Sequence, residues 1–254
     1  FYGYLLINSD DKNIKKISKR ISRTQISFGE SKKANYQIIN IEPVNGRQNF
    51  EIFDKKNNKK HKFKLSLPGR HNVFNAAASI GVAMEEGIPI SSIKKGISEF
   101  SGVGRRYEKH NIKINQKKIV LIDDYGHHPL EIDSNINAYR EEFPNKKVCM
   151  IFQPHRFSRT AQLFDDFIRV LNKTDSLILL DIYSASEKPI RGIHSRTIAE
   201  SIKQMGHKDV TYLKSHDDVI DLIMNKIDSF DIVVTQGAGS ISKVCESIKD
   251  KWAK

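Results

Sequence analysis

The chain has 254 residues, with 42 Lys and Arg against 30 Asp and Glu, two Cys and a mean hydropathy of −0.48. At ~100–200 residues per domain, this length predicts one large domain or two modest ones. No apolar run approaches the ~18–20 residues that a membrane span needs, and two cysteines exclude a disulfide framework. We therefore expect a cytoplasmic protein without a membrane partner, in which Cys149 and Cys245 are buried as small hydrophobic residues.

The positive charge is concentrated at the start of the chain. Residues 1–70 hold 16 Lys and Arg against 6 Asp and Glu, whereas residues 71–254 hold 26 against 24. A basic arm that binds nucleic acid is one interpretation, but these lysines lack interleaved aromatic residues and a recognition-helix pattern. Solvated loops and strand edges are the preferred interpretation, so no nucleic-acid partner is predicted.

Short strands and turns are predicted over residues 1–67. The first strand is an apolar run at Tyr2–Asn8, and the chain enters it from Phe1 without a preceding Met, which predicts the C-terminal part of a longer protein. A second strand is expected at Gln37–Ile41. Asn49–Phe53 and Lys62–Leu67 flank a polar turn and predict a hairpin.

Helical spacing begins after these strands. Apolar residues recur every three or four positions through Asn72–Glu86, and Gly87 follows where a C-terminal glycine is expected. Ser91 is predicted to cap a second helix that runs to about Phe100.

Two glycines within Ser101–Gly104 predict a hinge between a domain of residues 1–104 and one of residues 105–254. In the second domain strand-like runs alternate with helical stretches, for example Ala161–Leu171, and the last helix is expected to start near Ser240. This alternation predicts an α/β fold, with a mostly parallel sheet covered by helices on both faces. The strand-like runs are Lys118–Ile122, Val148–Phe152, Leu177–Ile182, Val210–Leu213 and Ile232–Thr235.

Polar and ionisable side chains follow several of these strands. Because ligands bind at the carboxyl ends of the strands in open parallel sheets, the segments there are candidates for a site. Arg156 and Arg159 lie three residues apart before a predicted helix. There, two guanidinium groups and the helix N-terminus suit a carboxylate or a phosphate, and a surface ion pair is the alternative. The segments are Asp123–Pro129, Gln153–Thr160, Tyr183–Glu187 and Gln236–Ser240.

Two of these segments have competing interpretations. Asp123, Asp124, His127 and His128 are of the residue types that bind divalent metals. Adjacent residues of a strand point to opposite faces, however, so at most one aspartate faces a shared site, and no metal site is predicted in this chain. The glycine-rich segment Gln236–Ser240 is either a backbone cradle for a ligand or a tight turn.

Two further pairs are candidates for contact with a nucleotide. Asn72 and Asn75 share a helix face, and their amides offer both donors and acceptors to a nucleobase edge. Helix capping is the alternative, and it explains Asn72 better than Asn75. Arg105 and Arg106 follow the hinge, where they either reach a phosphate or belong to a solvated linker.

Five segments, taken in order, resemble the Mur ligase family of peptidoglycan synthesis, and within it the members that add L-alanine. Each segment alone is a weak signal, but the set at matching spacing is specific and covers essentially the whole chain. The resemblance implies the last part of a central ATPase domain, followed by a complete Rossmann-like C-terminal domain. The segments are Leu67–Ala76, Gly102–Arg106, Asp123–Pro129, Gln153–Thr160 and Gln236–Ser240.

The resemblance implies an activity that uses ATP and Mg²⁺. L-alanine would be joined to the lactyl carboxylate of UDP-N-acetylmuramate through an acyl phosphate. The sequence contains no Gly-x-x-x-x-Gly-Lys-Ser/Thr phosphate loop, and the family's Mg²⁺-serving glutamate and histidine are missing. Ligands for Mg²⁺ are therefore expected mostly upstream, and this chain alone is predicted to be inactive. A ligase that recycles murein tripeptide and a non-catalytic nucleotide-binding module are the alternatives, and the segment His155–Thr160 favours alanine.

The resemblance also implies roles for individual residues. Asn72 and Asn75 correspond to positions beside the adenine, while Arg106 and Asp124 correspond to positions that contact ATP phosphate and ribose. Arg156 and Arg159 are the expected clasp for the L-alanine carboxylate, and His127 or His155 would position or deprotonate the amine. The residues that correspond to the amino-acid and muramyl end of the site are Tyr125, His127, His155, Arg156 and Arg159.

Two positions depart from the family pattern. Ser186 stands where a Tyr-x-Ala-Gly-Glu run usually has Gly, which leaves the role of Glu187 open. Phe157 takes a place often held by Tyr, so a hydroxyl contact is not required there.

Overall fold

The computed structural model describes residues 3–252, which divide into one compact unit ending at Ser101 and another beginning at Gly102. Tyr2, the first residue of the predicted strand Tyr2–Asn8, lies outside the described residues. Within the described part of the chain, no helix is long and apolar enough to cross a membrane.

The first unit is built on a five-stranded sheet in the order β1-β2-β3-β4-β5. The first three strands are parallel to one another, and β3, β4 and β5 are antiparallel. The predicted hairpin is confirmed, with Phe50 opposite Phe63. The elements are β1 (Tyr4–Asn8), α1 (Lys12–Ser18), β2 (Thr24–Gly29), β3 (Tyr36–Val44), β4 (Arg47–Asp54), β5 (Lys59–Leu65), α2 (Arg70–Glu85) and α3 (Ile90–Glu99).

Helix α2 covers this sheet with the apolar face that the sequence predicts. Its residues Val73, Ala77 and Ile80 are fully buried in one core cluster with residues of β3, β4 and β5. The predicted cap at Ser91 is wrong, because the N-cap is Pro89 and α3 begins at Ile90, two residues earlier than a cap at Ser91 would start it. Proline lacks the N–H that a first helical turn leaves without a partner, so it suits a helix start.

The second unit is a six-stranded sheet in the order β10-β9-β8-β11-β7-β6. All neighbouring strands are parallel except β6 and β7, which confirms the predicted α/β fold with a mostly parallel sheet. The elements are β6 (Glu108–Ile114), β7 (Lys117–Asp124), α4 (Pro129–Glu142), β8 (Val148–Phe152), α5 (Phe157–Gln162), α6 (Phe164–Leu171), β9 (Ser176–Leu179), α7 (Ser195–Gln204), β10 (Val210–Tyr212), α8 (His216–Lys226), β11 (Ile232–Gln236) and α9 (Ser242–Trp252).

Helices cover both faces of this sheet, as predicted. One core cluster joins α4, α6 and α7 to the sheet, and a second joins α8 and α9 to its other face. Cys149 and Cys245 are buried in the second cluster as free thiols, and burial raises the pKa of Cys149 to about 12 and that of Cys245 to about 11.

Two predicted elements differ from the structure. The single helix Ala161–Leu171 is two helices, α5 and α6, because the backbone leaves helical geometry at Leu163 (φ −114°, ψ 23°). The predicted strand Leu177–Ile182 already ends at Leu179, and the chain then continues into the loop that carries Tyr183.

The order of the strands places a topological switch point at the carboxyl edge of the sheet. The chain crosses from β10 back to β11, which inserts between β8 and β7. After β8 it continues on the face covered by α6, whereas after β11 it continues to α9 on the opposite face. Neighbouring loops therefore leave the sheet in opposite directions, which is where open α/β sheets bind ligands.

Candidate active site

Asp124 connects the ends of β7 and β11 at this edge. Its side chain is buried, and its carboxylate accepts hydrogen bonds from the backbone N–H of Tyr107 (2.8 Å) and Gly126 (2.7 Å) and from Nε2 of Gln236 (2.8 Å). Gln236 Nε2 also donates to the carbonyl oxygen of Gly126 at 2.6 Å. Asp124 thus fixes the loop that follows β7.

Asp123 points to the other face of the sheet. Its carboxylate accepts hydrogen bonds from Arg105 Nε at 3.0 Å and from Thr235 Oγ1 at 2.9 Å, and Arg105 Nη2 donates to the carbonyl of Gly237 at 2.8 Å. The two aspartates therefore do not share a site, which confirms the alternation argument. Among residues 3–252, no three His, Cys, Asp or Glu side chains are grouped so that they could hold a metal ion.

The glycine-rich segment after β11 packs closely against its neighbours. A Cβ at Gly237 would lie 2.7 Å from the carbonyl oxygen of Gln153, and one at Gly239 would lie 2.6 Å from Cγ of Tyr183. Gln153 also holds the segment by accepting a hydrogen bond from the backbone N–H of Ile241 at 2.9 Å. The structure thus favours the tight-turn interpretation over a ligand cradle.

Four rings form a continuous row along the carboxyl edge, and we call Tyr125, His127, His155 and Tyr183 the ring row. The ring centroids of Tyr125 and His127 are 5.5 Å apart, those of His127 and His155 are 5.2 Å apart, and those of His155 and Tyr183 are 5.4 Å apart. The row brings together side chains that follow β7, β8 and β9, as the sequence predicts for a shared edge.

Guanidinium groups lie at both ends of the ring row. Arg106 has its Cζ 5.6 Å from the centroid of Tyr125 and its Nη1 3.3 Å from the carboxylate of Glu131. At the other end, Arg156 Nη1 is 3.4 Å from Glu187, and Arg159 Nη1 is 3.4 Å from Nδ1 of His155. The side chains of Arg106 and Arg156 are 53% and 48% exposed, so each has room for a further anionic partner.

The expected contribution of a helix N-terminus at Arg156 stays a prediction, because a carboxylate of the protein already uses part of that N-terminus. The helix there, α5, spans only 6 residues, and Glu187 already accepts a hydrogen bond from the backbone N–H of Ser158 at 2.9 Å. A further anion near Arg156 would therefore share this helix start with Glu187.

The surroundings of His155 favour its neutral form. Its partial burial lowers the pKa of the imidazole, and the neighbouring His127, Arg159 and Arg156 lower it further. Near neutral pH the unprotonated form therefore predominates, which leaves a ring nitrogen able to accept a proton.

In the first unit, the predicted asparagine pair lies on the first turns of α2. Asn72 Nδ2 donates to the carbonyl of Pro68 at 2.7 Å, and Asn75 Nδ2 is 3.5 Å from Asn72 Oδ1, which confirms their shared face. The N-cap residue is Gly69, so Asn72 does not cap the helix; it ties the first turn to the preceding loop. Asn75 is exposed.

Sequence reasoning missed Glu131. Its Oε2 accepts the backbone N–H groups of His127 (2.9 Å) and His128 (3.0 Å), and its Oε1 faces Arg106. A signal was present, because Pro129 opens α4 and Glu131 stands three residues after the N-cap His128, which is the spacing of a capping box.

These features define a doubly wound α/β domain. At the carboxyl edge of its sheet lies a row of polar side chains with arginines at both ends. Residues 105–239 match the family model described as Mur ligase, glutamate ligase domain, and residues 1–83 match the Mur ligase middle domain. The chain belongs to the Mur ligase family.

Similar proteins fit this assignment. The chain is 41% identical over 250 residues to the UDP-N-acetylmuramate–L-alanine ligase of Vesicomyosocius okutanii, covering 98% of this chain and 53% of the relative. It therefore spans about half the length of that curated relative. Two Thermotoga maritima structures share the fold. A UDP-N-acetylmuramate–alanine ligase is 24% identical with a TM-score of 0.75, and the match covers 98% of this chain and 59% of that one. A MurF ligase in complex with ADP is 17% identical with a TM-score of 0.71, and the match covers 98% of this chain and 53% of that one.

Proposed function

We propose that the protein to which these residues belong joins L-alanine to the lactyl carboxylate of UDP-N-acetylmuramate at the expense of ATP. The observation that carries the proposal is the ring row with Arg106 at one end and Arg156 and Arg159 at the other. The relative of 41% identity, named for this reaction, supports the same substrates.

The two ends of the ring row suit two anionic groups. We assign the phosphate of ATP to Arg106 and the carboxylate of L-alanine to Arg156 and Arg159. A guanidinium fork recognises both kinds of anion through paired N–H donors. Asn72 and Asn75 are assigned to the adenine edge, because paired amides offer complementary donors and acceptors.

In this proposal, Asp124 has a structural role at the start of the ring row. Since its carboxylate already accepts three hydrogen bonds, its contribution is to hold Tyr125 and His127 in place at the start of the ring row. Direct contact of Asp124 with the nucleotide stays a prediction.

The chemistry requires an activated carboxylate and a neutral amine. Phosphorylation turns a carboxylate oxygen into a leaving group, and the amine of L-alanine then displaces phosphate through a tetrahedral intermediate. Neutral His155 is placed beside Arg156 and Arg159, where it can accept the proton that the amine releases. His127, in ring contact with His155, is the alternative acceptor.

Part of the machinery lies outside these residues in this proposal. Residues 1–104 are assigned to the last part of the central ATP-binding domain and residues 105–254 to the C-terminal ligase domain. When bound, Mg²⁺ would neutralise phosphate charge, and its ligands are assigned mostly upstream. The chain alone is therefore expected to be inactive.

ADP release tests this proposal. The full-length protein, including any sequence before residue 1, is mixed with ATP, Mg²⁺ and UDP-N-acetylmuramate, and L-alanine, glycine or murein tripeptide is added as acceptor. We expect release that depends on L-alanine, and none from residues 1–254 alone. Release that depends on the tripeptide would favour the recycling ligase, and no acceptor-dependent release would favour a binding module.

A further inference from the structure

Two glutamates hold comparable positions at opposite ends of the ring row. Glu131 lies in the first turn of α4, and Glu187 lies in the loop that follows β9. Each carboxylate accepts backbone N–H groups at the start of a helix, and each also pairs with an arginine of the site. Neither pairing is needed to complete a buried core, because both arginines are about half exposed.

Glu131 divides its two oxygens between the backbone and the guanidinium. Oε2 accepts from the N–H groups of His127 and His128, while Oε1 accepts from Arg106 Nη1 at 3.3 Å. The same carboxylate thus couples the loop that carries His127 to the position of Arg106. Arg106 in turn lies over the Tyr125 ring.

Glu187 makes the corresponding contacts at the other end. Its Oε2 accepts from the backbone N–H of Ser158 at 2.9 Å, and its Oε1 accepts from Ser158 Oγ at 2.7 Å and from Arg156 Nη1 at 3.4 Å. Arg156 needs such support, because its φ of +74° lies in the left-handed region that L-residues disfavour. A carboxylate that fixes both Ser158 and Arg156 stabilises this turn.

Both glutamates are ionised at neutral pH. Burial opposes the ionisation of Glu131, but the backbone N–H groups of His127 and His128, the neighbouring His127 ring and a hydrogen bond from Arg106 outweigh it and lower its pKa. Hydrogen bonds from Ser158, and then the charge of Arg156, lower the pKa of Glu187. Each arginine is thus held by a full negative charge.

We propose that Glu131 and Glu187 are positioning residues: Glu131 orients Arg106 for the nucleotide phosphate, and Glu187 orients Arg156 for the amino-acid carboxylate. This inference rests on the proposed function. One N–H of each guanidinium is anchored to the glutamate, and the rest of the donor fork is left for the substrate anion.

The test exchanges each carboxylate for an amide in the full-length protein. Glu131→Gln and Glu187→Gln keep an oxygen that accepts a backbone N–H but remove the charge that holds the arginine. We expect Glu187→Gln to raise the KM for L-alanine by about five- to tenfold and to change the KM for ATP by less than about twofold. Glu131→Gln should instead raise the KM for ATP and leave the KM for L-alanine nearly unchanged, so each variant is the control of the other. As a further control, Glu246→Gln, at an exposed position of α9, should change neither KM.

A double-mutant cycle separates positioning from general stability. If Glu187 acts through Arg156, Glu187→Gln adds no further rise in the KM for L-alanine once Arg156→Ala is present. Equal effects on both KM values, or an additional rise in the Arg156→Ala background, would show that the carboxylates only cap helices and would overturn the inference. A wild-type protein without alanine-dependent ADP release would overturn the proposed function as well, whereas an active wild type without the crossed pattern would overturn this inference alone.

Discussion

The candidate residues of the two units are held in very different ways. In the second unit, Asp124 is buried under three hydrogen bonds of 2.7–2.8 Å, and Gln236 links it to the next strand. In the first unit, Asn75 is exposed, and its side-chain contact with Asn72 is 3.5 Å long. Asp124 is thus part of the fold of the second unit, whereas the exposed Asn75 side chain of the first unit is available to a ligand. Substitutions in the two regions should separate stability from function.

The largest expected effect is on the second unit. Asp124→Ala removes the acceptor of the N–H groups of Tyr107 and Gly126, and buried donors without partners cost about 1–3 kcal/mol each. We expect the free energy of unfolding to fall by about 3 kcal/mol, together with a loss of kcat. Trp252 is the only tryptophan and packs against the second core cluster, so its fluorescence in urea reports this unit.

Asp124→Asn is the matched control, because the amide keeps one acceptor oxygen and should lose about half as much stability. A change of less than about 0.5 kcal/mol in Asp124→Ala would remove the contrast between the two regions.

The next largest effect is a rise in the KM for ATP caused by a substitution in the first unit that should not change the stability of that unit. Asn75→Ala truncates an exposed side chain, so the free energy of unfolding should change by less than about 0.5 kcal/mol. Loss of a hydrogen bond to the adenine should raise the KM for ATP about tenfold. Steady-state kinetics of the full-length protein measure this, with Ser79→Ala one turn further along α2 as control. An unchanged KM for ATP would remove Asn75 from the nucleotide site.

A smaller effect tests backbone strain near the ring row. Ser186 is exposed and has a φ of +70°, a conformation that costs an L-residue about 1 kcal/mol and that glycine adopts freely. Ser186→Gly should therefore raise the free energy of unfolding by about 1 kcal/mol, measured by Trp252 fluorescence. Ser184→Gly is the control, because Ser184 lies outside the left-handed region and should lose stability. A destabilised Ser186→Gly protein would mean that the serine side chain has a structural role.

The smallest expected effect is a pH dependence of stability in the second unit. Burial and the neighbouring His127, Arg159 and Arg156 lower the pKa of folded His155, so the unfolded chain takes up a proton at a higher pH. Stability that is present above the ordinary pKa of about 6.5 is lost as the pH falls from there through the lowered value. Urea midpoints at several pH values should show this loss, and His155→Gln should reduce it. An unchanged slope in His155→Gln would contradict this prediction.

Much of the fold could be predicted because burial leaves a periodic pattern. The apolar face of α2 and the alternation of strands and helices after Gly102 are of this kind. Helix α1 has no buried residue and was missed, since a short polar helix capped by Asp11 leaves no such pattern. The edge strand β6, antiparallel to β7, was missed as well.

The site was predictable only in part. Strand ends predicted that His127 and His155 meet, and the ring row confirms it. The partners of the arginines were not predictable, because Glu187 lies 31 residues after Arg156 and reaches it through a loop. For the same reason, the sequence did not separate Arg105, which is tied to Asp123, from Arg106, which is half exposed.

The insertion of β11 between β7 and β8 sets an order of events during synthesis. A nascent chain that ends before residue 232 presents β7 and β8 with the strand between them missing, and unpaired strand edges promote aggregation. Contacts between β7 and β11 join positions 112 residues apart, a separation that slows folding. Gln236, which completes the Asp124 contacts, therefore leaves the ribosome after both neighbouring strands, so a chain cut short before residue 232 would lack the contact that fixes the loop after β7.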